Sequence, residues 1–210
     1  MGQKINPIGF RVGISKDWYS KWYASPTDYP NIVVEDYKIR RFIEKRFEPA
    51  GLKDVLIERS GNLLNITIRV SSPGMVIGKG GSGVESAEKE IKKLTKSVVK
   101  ITAEEVKNPE VHAMIIASKI SNQMKKRVKH GRAAQMAVKS AIDKGAKGIK
   151  IIISGCLSGG SSIARRETYK DGSIPSQRLR ADIDYAQVHC QMPFGKIGIK
   201  VWVYKGDLEI

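Results

Sequence analysis

Glycine recurs at positions 74, 78, 80, 81 and 83, with one lysine, Lys79, inside the run. Residues without a Cβ let backbone amides approach an anion closely, and a helix opening behind them adds its positive dipole end. Phosphate-facing chemistry is therefore the first reading, and three versions of it compete. Gly78-Lys79-Gly80-Gly81-Ser82-Gly83 spells GxGxxG, with Glu104 and Glu105 about 20 residues on, where a dinucleotide-binding fold places its ribose-binding acid. That fingerprint directly follows a parallel strand, whereas Pro73, Gly74 and an apolar turn intervene here. A magnesium-dependent phosphate loop fits less well. The interval from Gly74 to Lys79 is one residue short of GxxxxGK, and Gly80 stands in place of the metal-holding Ser or Thr.

The third version is the loop of a KH domain, an apolar pair followed by GXXG between two helices, matched by Val76-Ile77-Gly78-Lys79-Gly80-Gly81. Such a loop presses its backbone against the sugar-phosphate of about four nucleotides while an adjacent apolar groove takes their bases. Gly78, Lys79, Gly80 and Gly81 are thus the candidate RNA-binding loop, and a plain flexible helix connector is the bland alternative. No other constellation promises chemistry. Cys156 and Cys190 stand far apart without a CxxC pair, and His112, His130 and His189 lack metal-ligand spacing. The reading has no catalytic residues, no metal and no cofactor. The cysteines read as packing residues in a reducing compartment.

Lys and Arg outnumber Asp and Glu by 37 to 21 in 210 residues, a formal charge of +16, which attracts polyanions. Nucleic acid leads, ahead of a merely soluble basic protein or a membrane surface. No run approaches the roughly 20 apolar residues of a spanning helix, and the start lacks a signal peptide's apolar core. Gly2 invites myristoylation, but Asn6 stands where that motif wants Ser or Thr. A cytoplasmic protein without a membrane or small-molecule partner is expected.

Folded elements must hold these residues in place, and 41% hydrophobic residues suffice for packed cores. Ile39, Phe42, Ile43 and Phe47 predict a helix over Glu35 to Phe47, stopped by Pro49-Ala50-Gly51. Lys53 to Arg59 and the alternating Leu64, Ile66, Ile68 and Val70 predict a hairpin turning at Ser60-Gly61-Asn62. A short helix, the glycine loop, a helix with the stripe Val84, Ala87, Ile91 and Leu94, and a strand from Val98 to Val106 follow. Asn108 and Pro109 predict a capped helix carrying Val111, Ile115, Ile116, Ile120 and Met124 inward, and a second helix from Arg132 to Lys144 closes at Gly145. Beyond lie a strand from Ile149 to Ser154, a Gly/Ser loop over Gly155 to Ser162, a segment reversing at Asp171-Gly172, and strands from Arg178 to His189 and Lys196 to Tyr204. The expected class is α+β. An amino-terminal extension (1–16) precedes a type II KH domain (17–107), with helices on one face of a small mixed sheet. A carboxy-terminal domain (108–210) has two helices packed on a mostly antiparallel sheet.

The chain also resembles a known family. Met1-Gly2-Gln3-Lys4 with Pro7, Gly9, Arg11 and Gly13 is similar to the start of bacterial small ribosomal subunit protein three. So are Gly145 to Lys150, Leu179-Arg180-Ala181-Asp182-Ile183-Asp184-Tyr185 and Lys200 to Gly206. The resemblance implies a structural constituent of the small-subunit head. It would bind small-subunit ribosomal RNA, neighbour the tenth and fourteenth small-subunit proteins and help line the messenger RNA entrance. A free-standing KH regulator of messenger RNA would share the loop but not these terminal matches. In the family a basic helical region assists unwinding of messenger structure. Here Lys125, Lys126, Arg127, Lys129 and Arg132 supply it, while Gly131 and Gln135 stand where bacterial members commonly carry Arg and Lys. A solvated helix end is the alternative for any single lysine. Arg165, Arg166, Arg178 and Arg180 could hold ribosomal RNA phosphates. Trp18, Tyr19, Trp22 and Tyr23 could stack on bases, although packing is the favoured use.

Overall fold

Ile39, Ile43 and Phe47 recur at helical spacing and are buried, so the first long helix is held through one apolar face. The computed structural model describes residues 4–95, 97–157 and 163–208. In chain order its elements are β1 (Ser20–Lys21), α1 (Tyr29–Phe47), β2 (Leu52–Ser60), β3 (Leu63–Val70), α2 (Pro73–Ile77), α3 (Ser82–Lys92) and β4 (Val98–Glu105). After them come α4 (Ala113–Lys125), α5 (His130–Asp143), β5 (Gly148–Gly155), β6 (Arg165–Gly172), β7 (Ala181–Met192) and β8 (Gly195–Asp207). Residues 18–107 form one compact unit; the chain up to Asp17 joins everything from Asn108 onward in the other.

The first unit is a mixed sheet in the order β1-β2-β3-β4, with an antiparallel β2–β3 hairpin and parallel β3–β4 and β1–β2 pairs. Leu64, Ile66, Ile68 and Val70 of β3 are buried with Val55, Ile57, Val99 and Ile101, and Ala87 and Ile91 of α3 close over them beside α1. Helix α1 starts at Tyr29 rather than Glu35, because Pro30 occupies its first turn, where a missing amide is harmless. The stripe expected to reach Leu94 ends at Ile91, since α3 stops at Lys92 and Leu94 is exposed.

Packing does not account for all of the aromatic residues near the start of this unit. Trp22 is half-buried, donates its indole N–H to Asp36 at 2.8 Å and lies 5.5 Å from the Tyr29 ring. Trp18 (65%) and Tyr23 (95%) stay exposed. Their segment is held by polar ties instead. Arg40 donates to the Tyr19 carbonyl, and the buried Asp36 carboxylate accepts from Arg59 at 2.6 Å.

In the second unit β6-β5-β8-β7 is wholly antiparallel. Ile149, Ile151, Ile153, Ile197, Ile199, Val201 and Val203 face Ile116, Ile120, Met124, Ala134 and Val138 of α4 and α5, whereas Ile115, expected inward with them, is only half-buried. The alanines let the helices approach closely. Gly172 does not begin a hairpin: β6 and β7 are opposite edges of the sheet, and residues 173–180 cross between them. Of the expected Gly/Ser loop, 158–162 lie outside the described residues.

Two polar contacts organise this unit. Arg11 is fully buried and donates to four carbonyls, those of Pro7 (3.0 Å), Ser176 (3.0 Å), Arg178 (2.7 Å) and Ala181 (2.8 Å). It ties the amino-terminal residues to the crossing segment and to the start of β7. Asn108, expected to cap the next helix, makes no side-chain cap and has a left-handed backbone (φ 52°); a 3₁₀ turn follows it. The cap of α4 comes from β7, where Asp184 accepts the Ala113 amide at 3.1 Å. Burial raises the Asp184 pKa, but its bond from His112, the Lys205 charge, the Ala113 amide and Lys16 outweigh that and hold it below the ordinary carboxylate value.

Replacing Arg11 with Met leaves those carbonyls without a donor and is expected to lower stability by about 3 kcal/mol, read from the urea midpoint. A carboxylate with a depressed pKa stabilises the fold above its unfolded pKa of about 3.9, and that stability is lost as pH falls through the folded value. Thermal unfolding between neutral and acid pH is therefore expected to show a smaller stability loss in Asp184→Asn than in the parent.

Candidate nucleic-acid interface

The glycines joining α2 to α3 divide into two kinds. A Cβ on Gly83 would lie 2.4 Å from the Val76 carbonyl oxygen, and one on Gly78 would lie 3.0 Å from the Gly83 nitrogen. These two let the helices meet. A Cβ on Gly80 or Gly81 would meet nothing within 4 Å, yet both have left-handed backbones, φ 60° and 88°. Open space therefore remains where a side chain would stand. Lys79 and Gly80 are exposed, no side chain among the described residues caps the α3 amino terminus, and Val76 anchors the loop in the core. Met75 (64%) and Ile77 flank it with exposed apolar surface.

The basic residues between α4 and α5 sit on a strained turn. Arg127 N–H donates to Met124 O at 2.9 Å and Val128 N–H to Gln123 O at 3.1 Å, a Schellman turn with Arg127 in the left-handed position at φ 65°. Helix α5 ends identically. Gly145 N–H reaches Ile142 O at 2.9 Å and Ala146 N–H reaches Ala141 O at 3.0 Å, but a glycine holds the left-handed position. A side chain there costs about 1 kcal/mol, so Arg127 occupies a place where stability favours glycine. Lys125, Lys126, Arg127, Lys129 and Arg132 are all exposed around this turn.

The start of α5 is fastened to β6. His130 Nε2 lies 2.9 Å from Glu167 Oε2, and the Tyr169 hydroxyl donates to the same carboxylate. The Tyr169 bond, aided by His130 and working against burial, holds Glu167 low; burial and that bond push the Tyr169 phenol up to about 12. A Cβ on Gly131 would sit 3.0 Å from the Tyr169 oxygen, so the glycine makes room for the phenol.

The four carboxy-terminal arginines do not converge. Arg165 and Arg166 open β6, whereas Arg178 and Arg180 lie on the segment entering β7 at the opposite sheet edge. All are exposed, and Arg178 pairs with Asp207 at 3.4 Å. Sequence reasoning missed Lys150, Lys170, Lys200 and Trp202, which cross-strand register brings together; strand alternation alone marked them as outward. Among the described residues, no three His, Cys, Asp or Glu could hold a metal, and no helix is long and apolar enough to cross a membrane.

A helix-strand-strand-helix-glycine loop-helix-strand unit defines the chain as a KH-type RNA-binding protein, and the KH domain family matches residues 38–111. The ribosomal protein S3 C-terminal domain family matches residues 120–203. Small ribosomal subunit protein uS3 of Caldanaerobacter subterraneus is 48% identical over 99% of this chain and 94% of its own length. That of Pelagibacter ubique is 47% identical over 99% and 92%, and that of Desulforamulus reducens 46% over 99% and 94%. The chain belongs to the uS3 family of small ribosomal subunit proteins, a structural family and not an enzyme.

Arg127→Gly separates stability from binding. It is expected to stabilise the protein by about 1 kcal/mol in thermal unfolding while weakening single-stranded RNA binding several-fold in a filter assay.

Proposed function

We propose that the chain sits in the head of the small subunit and helps line the messenger RNA entrance. The KH unit (17–107) and the carboxy-terminal unit (108–210) would both hold RNA there. Gly78, Lys79, Gly80 and Gly81 grip a sugar-phosphate backbone, with open space where side chains on Gly80 and Gly81 would stand. Arg165, Arg166, Arg178 and Arg180 hold ribosomal RNA phosphates at two separate sheet edges. Lys125, Lys126, Arg127, Lys129 and Arg132 face the messenger. The tenth and fourteenth small-subunit proteins are its neighbours, and the ribosome places it in the cytoplasm.

The observation that carries this reading is family membership along nearly the whole chain, which embraces the glycine loop and every basic cluster at once. The messenger role draws separate support from Arg127, because a strained cation in a turn that otherwise takes glycine points to selection for something besides stability. Unwinding would fall to Arg132 and the lysines. Gly131 cannot supply charge, and Gln135 is neutral.

Lys79→Asp combined with Gly80→Asp puts two negative charges in the loop. RNA affinity of the isolated protein is expected to fall about tenfold or more while the circular dichroism spectrum is retained. The parent affinity should also decline with salt, by about 0.7 log unit per log unit for each single-strand phosphate neutralised. Salt-independent binding, or failure of the protein to sediment with small subunits, would contradict the reading.

A further inference from the structure

The face of the carboxy-terminal sheet turned away from α4 and α5 has a composition that the family assignment does not explain. Register places its side chains in rows across the strands. Lys170, Lys150, Trp202 and Tyr185 form one row, Thr168, Ile152, Lys200 and Gln187 the next, and Arg166, Ser154, Gly198 and His189 a third. From the first row outward, these positions carry no carboxylate. Lys170, Lys200, Arg166, Gln187 and His189 are exposed, and Lys150, Tyr185 and Trp202 are half-buried.

Within the first row the cations are crowded. Lys150 lies 5.7 Å from the Trp202 ring centroid, and Tyr185 stacks at 5.1 Å on the same tryptophan, tilted by 42°. Lys4 and Lys170 both press on Lys150. Close contact with Lys4, burial, and the charges of Lys4 and Lys170 all lower its proton affinity. Like charges gathered on an open surface repel, and a polyanion relieves the repulsion. One end of this face is already covered. Ala181, Ile183 and Tyr204 form a small buried cluster with Ile174 and Trp202, beside the segment that Arg11 anchors. Among the described residues, Lys170, Lys200 and Arg166 of the remainder stay exposed.

We propose that this sheet face is a docking platform for an unpaired RNA segment. A base stacks against the Tyr185–Trp202 pair, phosphates meet Lys150, Lys170, Lys200 and Arg166, and Gln187 and His189 are placed to hydrogen-bond base edges. Charge and chemistry both favour RNA over a protein occupant. The cations are spread across three strands without an interleaved acid, and planar rings stand among them, the combination that single-stranded nucleic acid requires. The platform rests on the reading of the chain as an RNA-binding ribosomal protein and shares Arg166 with it, but its other residues lie outside the glycine loop, the basic turn and the remaining arginines assigned above.

Fluorescein-labelled oligouridine, titrated with the full chain at several salt concentrations, tests it. Lys150→Gln with Lys200→Gln is expected to lower affinity about tenfold and to reduce the slope of log K against log salt by about 1.4, at about 0.7 per phosphate contact. Tyr185→Leu is expected to weaken binding about fivefold or more with the slope unchanged. Lys200→Gln alone changes an exposed side chain, and serves if the double variant fails to fold. The loop double-aspartate variant, measured in parallel, keeps the two readings apart. Unchanged affinity and slope in the lysine variants, with loss in the loop variant, overturns the platform and leaves the proposed function standing. The reverse pattern supports the platform and moves the main contact away from the loop. Normal oligouridine binding with lost incorporation into small subunits would give the face to a protein neighbour and overturn the inference.

Discussion

A guanidinium buried among backbone carbonyls joins the two ends of this sequence. Arg11 reaches Pro7 within its own segment, and also Ser176, Arg178 and Ala181 about 170 positions away. A buried charge is costly unless its donors are satisfied, and carbonyl dipoles satisfy them here, with the Asp182 charge in support. The contact ties down the crossing segment between β6 and β7 and seats residues 4–17 at one end of the sheet. Lys16 adds to the same junction by pairing with Asp182 at 2.5 Å. Beyond that end, the outer face of the sheet carries exposed Lys170, Lys200 and Arg166.

The two units solve their packing problem differently. In the first, the apolar face of an inner strand, β3, sits under α1 and α3, and the buried Asp36 of α1 is matched by Arg59 and Trp22. In the second, alanines on α4 and α5 bring helices close to a sheet of isoleucines and valines. Both arrangements give a rigid frame. Left-handed backbone occurs in the glycines of the KH loop and, among non-glycine residues described, in Asn108 and in Arg127 at the end of α4.

Arg127 and Gly145 amount to an internal comparison. The same hydrogen-bonding turn ends two successive helices, once with the residue that local energetics favour and once with a cation. Glu167 and Tyr169 then fix where the next helix begins, so the strained turn is presented from a firm base.

Local patterns were legible in the sequence because their causes are local. The alternation in Leu64, Ile66, Ile68 and Val70, the stripe Ile39, Ile43 and Phe47, and the glycine spacing at 78, 80 and 81 each follow from strand, helix or turn geometry a few residues wide. The α+β class, the KH order and the family resemblance could be read from these. Long-range pairings were not legible. Asp184 caps a helix 71 residues upstream, Arg11 is held by the far end of the chain, and Lys150, Trp202 and Tyr185 meet only through the order β6-β5-β8-β7. Sequence periodicity determined which side chains face outward, but only the strand order and register decided which of them share a surface. The hydrogen-bond ladder that sets register is made by backbone groups common to every residue, so it leaves no mark of partner choice in the sequence.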